Sequence, residues 1–374
     1  MDTSQPLALL AGLSPDQFMK RHWHKKPLLI RQGLPDFVPL LDRKTLLDMA
    51  GQEGVESRLV VRKPKGWALK HGPFKRTALP TFKQKAWTLL VQGVDLHDES
   101  VHQWMQQFRF IPDARLDDVM ISFATDGGGV GPHFDSYDVF LVQAHGQRRW
   151  RIGRQKDLQL QEGVPLKILA NFEPEAEYIL NPGDILYLPP LYAHDGDAVG
   201  ECMTYSVGFR APRQGELARE LLMGVAEEAM ESGGDAVYRD PAQTAVSQAA
   251  ALPADLQQFA RDAIKQALKD PNLLDCLLGE YLTEPKAQVW FDNSEPFEPH
   301  WPQAVVLDRR TRMLHDDRHV FINGESFKAS GRDAHWMKQL ANERQLDARS
   351  VAKFSSDALE LLTDWCDAGW VHTC

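Results

Sequence analysis

Residues 131–153 read GPHFDSYDVFLVQAHGQRRWRIG, with the glycine run DGGGVG leading into them. A histidine and an aspartate stand two apart here, immediately before a β-prone run. In a strand, residues i and i+2 face the same side. His133 and Asp135 are thereby expected to aim an imidazole nitrogen and a carboxylate oxygen at one point, with Phe134 turned away into packing. The glycines at 127–129 and 131 free the preceding backbone to bend over that point. Two ligands hold a metal poorly, so a third is expected from elsewhere. The segment NPGDILYLPPLYAHDG, residues 181–196, offers His194 after a Pro-Gly turn, a short strand and a stiff Pro-Pro exit. Two histidines and one carboxylate leave half of an octahedral shell open, the arrangement by which non-heme Fe(II) oxygenases bind cosubstrate and O2 side by side. A structural zinc site would instead be closed by protein ligands.

Working outward, short β-prone runs fill Asp117 to about Arg210: VMISFAT, DVFLVQA, RRWRIG, EYIL, DILYLPP and MTYSVGF. Turn residues AHGQ, NPGD and DGDAVGE separate them, a pattern that predicts a double-sheet jelly-roll. An iron site of this kind needs a two-electron reductant. If that is 2-oxoglutarate, its distal carboxylate must meet a buried cation. Alternation sets Arg148 and Trp150 on one face and Arg149 and Arg151 on the other, and a guanidinium grips a carboxylate with two parallel hydrogen bonds. Hydroxyls of Thr204 and Ser122 on neighbouring strands are candidates to add to that grip. On the substrate side, Asp118 opens a strand, Met120 follows on the same face, and Tyr137 follows the HxD pair. A carboxylate forks to a guanidinium, and an aromatic ring with a thioether sandwiches its plane, so the trio reads either as a pocket for a planar cation or as core Met and Tyr with a surface Asp.

The chain of 374 residues is too long for one ordinary core. Its 43% hydrophobic and 25% charged composition is that of a globular protein without a membrane span, and no secretory signal opens it. Four cysteines form no CxxC pair, which fits a reducing cytoplasm. A net charge of −10 argues against indiscriminate nucleic-acid binding. Locally, KRHWHKKPLLIR (20–31) and RLVVRKPKGWALKHGPFKR (58–76) are basic, which reads either as a solvated face or as a contact surface for RNA or a ribonucleoprotein. His22, His24, His315 and His319 read as surface histidines. Ser14, Pro15 and Gln17 signal a capped opening helix. After APRQ, Leu217, Leu221 and Val225 begin a helical run that SGG at 232–234 should stop. PADLQQFARDAIKQALKD and NLLDCLLGEYL follow as helices with few strands to bury them, which suggests pairing with a second copy. NSEPFEPHWPQ then marks a boundary. Beyond it, HVFINGESFKA reads as a hairpin turning at Asn323-Gly324, followed by helices in DAHWMKQLANE and SDALELLTDWCDA.

W-H-K-K-P-L-L-I-R at 23–31, GGGVGPHFDSYDVFLVQAHGQRRWRIG, PGDILYLPPLYAHDG and YSVGFRAP together resemble the bacterial JmjC-type ribosomal oxygenases. The resemblance implies an α+β chain with a double-stranded β-helix core of the cupin/JmjC type over 1–210, a helical dimerisation segment over 211–285 and a winged-helix-like domain over 286–374. It implies Fe(II) held by His133, Asp135 and His194, 2-oxoglutarate on Arg148 with Thr204 at the last-strand contact, and Ser206 beside Asp118, Met120 and Tyr137 in the substrate pocket. The implied activity is hydroxylation of an arginine side chain of a large-subunit ribosomal protein by a cytoplasmic homodimer. Two rival readings remain at this point. One is a histidine hydroxylase or a lysine or arginine demethylase on the same fold. The other is a non-catalytic cupin-like binding module whose C-terminal domain binds nucleic acid.

Overall fold

A computed structural model describes residues 2–232, 236–291 and 300–374. The chain divides into two compact units, Met1–Ala211 and Pro212–Cys374. The first opens with α1 (Pro15–Arg21), whose capping box is complete: Gln17 N–H donates to Ser14 Oγ, and Ser14 N–H donates to the Gln17 side chain. Then follow β1 (Leu28–Ile30), α2 (Arg43–Met49), β2 (Ser57–Lys63), β3 (Gly66–His71), β4 (Trp87–Val91), α3 (Glu99–Met105) and β5 (Leu116–Ala124). The unit closes with β6 (Val139–Arg154), β7 (Ala176–Leu180), β8 (Ile185–Leu188) and β9 (Tyr192–Phe209). All pairings are antiparallel, in the order β1-β8-β6-β9-β5-β4-β2-β3 with β7 also on β6.

Two expected turns are not chain reversals. AHGQ and DGDAVGE lie inside β6 and β9, which run as one long pair whose register slips between Gln143 and Gln147. Gly146 absorbs the slip at φ +61°, and a Cβ there would stand 2.0 Å from the Glu201 carbonyl oxygen. Bending without breaking gives each strand both a core-packing half and a half that reaches the site.

The outer face of the sheet packs on the N-terminal segment. Phe18, Phe140, Tyr187, Phe108 and Phe209 are fully buried there. Asp138 is fully buried as well; it accepts from Tyr187 Oη at 2.5 Å and lies 2.8 Å from His24 Nε2. Burial pushes its carboxyl pKa up, against those stabilising contacts. His24 is exposed as expected, though tied to Asp138, whereas His319 is buried and is not the surface histidine expected.

The second unit contains α4 (Gln214–Ser232), α5 (Ala254–Ala267), α6 (Leu273–Thr283), β10 (Val305–Leu307), β11 (Met313–His315), β12 (His319–Ile322) and β13 (Glu325–Lys328). α7 (Gly331–Glu343), β14 (Gln345–Leu346), α8 (Ala348–Val351), α9 (Ser356–Asp367) and β15 (Val371–Thr373) complete it. Asn323 and Gly324 both take positive φ and turn the β12–β13 hairpin as expected. α6, which falls in the expected dimerisation segment, packs on that hairpin. Gly279 sits on the Phe321 ring, and Gly324 N–H donates to Thr283 Oγ1. The glycines of the SGG stop and most of the expected boundary loop lie outside the described residues. Among the described residues, no helix is long and apolar enough to cross a membrane.

Candidate active site

The HxD segment is not a regular strand. Only His133 pairs, in an isolated bridge with His194: His133 N–H donates to His194 O at 3.0 Å and His194 N–H to His133 O at 2.8 Å. Residues exchanging both backbone bonds project their side chains to one face. The two imidazoles accordingly meet, with ring centroids 4.3 Å apart. Asp135 is held next to them by its own carbonyl, which accepts from Leu191 N–H at 2.7 Å. Its Oδ2 lies 3.7 Å from His194 Nε2. Phe134, expected in the core, borders the cavity instead, because the segment leaves the sheet after His133.

Candidate ligand atoms of His133, Asp135 and His194 all lie within 4.8 Å of one another. The orientation of both rings follows from their neighbours. His133 Nδ1 is 2.9 Å from Gly131 O, and His194 Nδ1 is 3.0 Å from Tyr192 O. A carbonyl only accepts, so each Nδ1 is the donor, which leaves each Nε2 as the candidate ligand atom. Burial, then the neighbouring His133, pushes the His194 pKa down to about 4, so at neutral pH no proton occupies the lone pair. These residues fit a divalent metal ion.

A cavity of about 440 Å³ opens from this cluster. Arg148 lies on its wall, 5% exposed, with Nη1 donating to Ser122 Oγ at 3.2 Å. Its Nε and Nη2 are buried without a hydrogen-bond partner. A buried guanidinium with two idle donors costs stability unless an anion enters. The cradle fits a carboxylate-bearing cosubstrate. Trp150 joins Arg148 to the metal cluster: the guanidinium carbon lies 5.6 Å from the Trp150 ring, which lies 5.7 Å from that of His194. Gly196 makes room for it, since a Cβ there would stand 2.6 Å from the indole. Thr204 is set apart. It is fully buried on the same sheet face, but its hydroxyl donates to Gln143 Oε1 at 3.1 Å, and its side chain is not part of the cavity wall.

Asp118, Met120, Tyr137 and Ser206 all line the cavity, with Met120 directly across from Ser206 in the β5–β9 register. Asp118 is 3% exposed and accepts both oxygens' bonds from Gln92 Nε2, at 3.0 and 2.8 Å. Tyr137 is 40% exposed at the mouth. Several lining residues escaped the sequence reading: Gln92, Arg58, Leu69, His71 and the 165–167 loop with Lys167. Arg58 lay within a stretch read only as a basic surface. Its alternation with Val60 in RLVV was the available sign of an inward face.

The family model for the JmjC domain matches residues 103–217, and that for the ROXA-like winged helix matches 265–372. The chain is 36% identical over 364 residues to the ribosomal protein uL16 3-hydroxylase of Escherichia coli, covering 92% of each. Its fold is similar to the X-ray structure of E. coli ycfD, with TM-score 0.82, 32% identity, and 96% of this chain and 98% of that one covered. It is likewise similar to YcfD, a ribosomal oxygenase from E. coli, in complex with cobalt and 2-oxoglutarate, with TM-score 0.79, 32% identity, and 96% and 97% covered.

Proposed function

Since the chain belongs to the family of JmjC-domain ribosomal oxygenases, we propose that it is an Fe(II)- and 2-oxoglutarate-dependent dioxygenase that hydroxylates an arginine side chain of ribosomal protein uL16. The observation that carries this reading is the pairing of two Nδ1-protonated histidines and a carboxylate with a buried, half-satisfied guanidinium in one cavity. His133, Asp135 and His194 would hold the iron. When bound, it supplies O2 activation coupled to decarboxylation of 2-oxoglutarate, so that one oxygen atom enters succinate and the other the substrate C–H bond.

The protein's share of the work is positioning. Arg148 receives the distal carboxylate of 2-oxoglutarate through its two idle donors, with Ser122 fixing the third nitrogen. Thr204 supports this wall through Gln143 rather than by direct contact. Asp118, oriented by Gln92, forks to the substrate guanidinium between Met120 and Tyr137, with Ser206 beside Met120. A homodimer is supported by the apolar side chains of Leu222, Met223 and Ile264, which are exposed on α4 and α5. Contact with rRNA is supported by the exposed Lys63, Lys65 and Lys70 of the β2–β3 hairpin, and a cytoplasmic location by the ribosomal substrate. In the test, purified protein with Fe(II) and 2-oxoglutarate releases succinate and adds one oxygen atom to uL16. The double variant His133→Ala with Asp135→Ala does neither. Formaldehyde release, or succinate release undiminished in that variant, overturns the reading.

A further inference from the structure

β3 ends the order of strands in the large sheet and, among the described residues, pairs only with β2. Gly72 N–H donates to Ser57 O at 2.8 Å, which makes residues 72 and 57 a bonded pair. Bonded and non-bonded pairs alternate in an antiparallel ladder. Counting back through the register His71↔Arg58, Lys70↔Leu59, Leu69↔Val60, Ala68↔Val61 and Trp67↔Arg62, the ladder bonds fall on Lys70 and Ala68. The same count sends Arg62 N–H away from β3, and it donates to Ala86 O at 2.9 Å. The N–H and C=O groups of Trp67, Leu69 and His71 therefore point off the free edge.

These same three residues turn their side chains toward the cavity face. Leu69 and His71 line the cavity with Arg58 and Val60, and the 165–167 loop borders it too. An exposed edge is normally guarded by charge. Here the edge lysine, Lys70, stands on the opposite face by alternation, so the cavity side of the edge is unguarded. We propose that the substrate polypeptide binds as an added strand on β3, its backbone pairing with Trp67, Leu69 and His71. A residue opposite Leu69 shares that side chain's face and so enters the cavity. Main-chain bonds then set the register while the cavity selects the side chain, the division of labour seen when peptides extend a sheet. The occupant is an extended segment of the ribosomal protein, and the proposal rests on the uL16 reading above.

Residue-resolved amide exchange on the full-length protein, with overlapping synthetic uL16 peptides, tests it. At saturating peptide, exchange at Trp67, Leu69 and His71 slows by about tenfold, while Ala68 and Lys70, already bonded to β2, change little. Leu69→Pro removes one outward donor without touching the β2 ladder, and Leu69→Ala serves as reference for the lost side chain. The proline variant binds peptide about tenfold more weakly than the alanine variant, the worth of about one backbone bond. Equal binding by the two variants overturns the proposal. So does a peptide that is hydroxylated while the three amides exchange as in the free protein, an outcome that leaves the enzyme's function intact. If no uL16 peptide is bound or hydroxylated, the functional reading falls and the docking mode with it.

Discussion

Arg148 couples a large desolvation penalty to an unfilled pair of donors, so its replacement should act on cosubstrate far more than on folding. Arg148→Ala is expected to raise the KM for 2-oxoglutarate by roughly 10- to 100-fold, the worth of charge-assisted hydrogen bonds. Steady-state succinate assays against cosubstrate concentration measure it. His194 makes a second prediction, for the metal-free protein. Its folded pKa of about 4 lies below the ordinary histidine value of about 6.5. Between those values the unfolded chain binds the proton and the native state does not, so stability falls as pH falls through that window. The loss is on the order of 3 kcal/mol. Denaturant melts in the presence of a chelator should show it, and His194→Gln should flatten the slope. At this scale the ligands were legible because HxD, a Pro-Gly turn and a later histidine are chemically specific types in a β-rich context. Thr204 was not, because its hydroxyl is spent on Gln143 and no local pattern reveals a cross-strand partner. Strand alternation alone does not bring His133 and Asp135 together: the bridge to His194 sets the histidine, and a loop contact to Leu191 sets the aspartate.

The β6–β9 pair is the element that builds the site, since Arg148, Trp150, His194 and Gly196 all come from it. Gly196 faces Trp150 across the ladder, and three indole carbons would lie within 2.8 Å of an added Cβ. Gly196→Ala should force the indole off both His194 and Arg148, destabilise the protein by roughly 1–3 kcal/mol, and weaken cobalt binding followed by its visible absorption. Retained affinity in a folded variant would show that Trp150 does not position His194. Alternation within RRWRIG made the Arg148 face legible. The continuity of the two strands was hidden, because glycine-rich AHGQ and DGDAVGE carry the same composition whether a chain reverses or merely bulges.

At the scale of the molecule, the cavity is lined by residues of the first unit alone, and the second unit has a core of its own around Leu340, Leu362 and Trp365. Asp308 anchors that second core. Burial alone would raise its pKa, but hydrogen bonds from Arg310 and His372 outweigh burial and hold it well below the usual carboxylate range. A depressed folded pKa contributes stability above the unfolded value, lost as pH falls through the folded one. Asp308→Asn should therefore cost roughly 3 kcal/mol at neutral pH and remove much of the acid sensitivity between about pH 4 and 2, read from melting curves, while cobalt titration at the cavity stays unchanged. The hairpin and helices of this unit were legible from Asn-Gly and apolar periodicity. The attachment of α6 to the hairpin was not, since it rests on contacts such as Gly279 on Phe321 and Thr283 on Gly324, made across forty-odd residues of chain. One feature of the centre reaches furthest. Both imidazole protons are pinned by the main chain, at Gly131 and Tyr192, and not by any side chain. The aim of both rings at this centre is therefore inherited from the path of the backbone, and a change that bends that path would turn the imidazoles without altering either histidine.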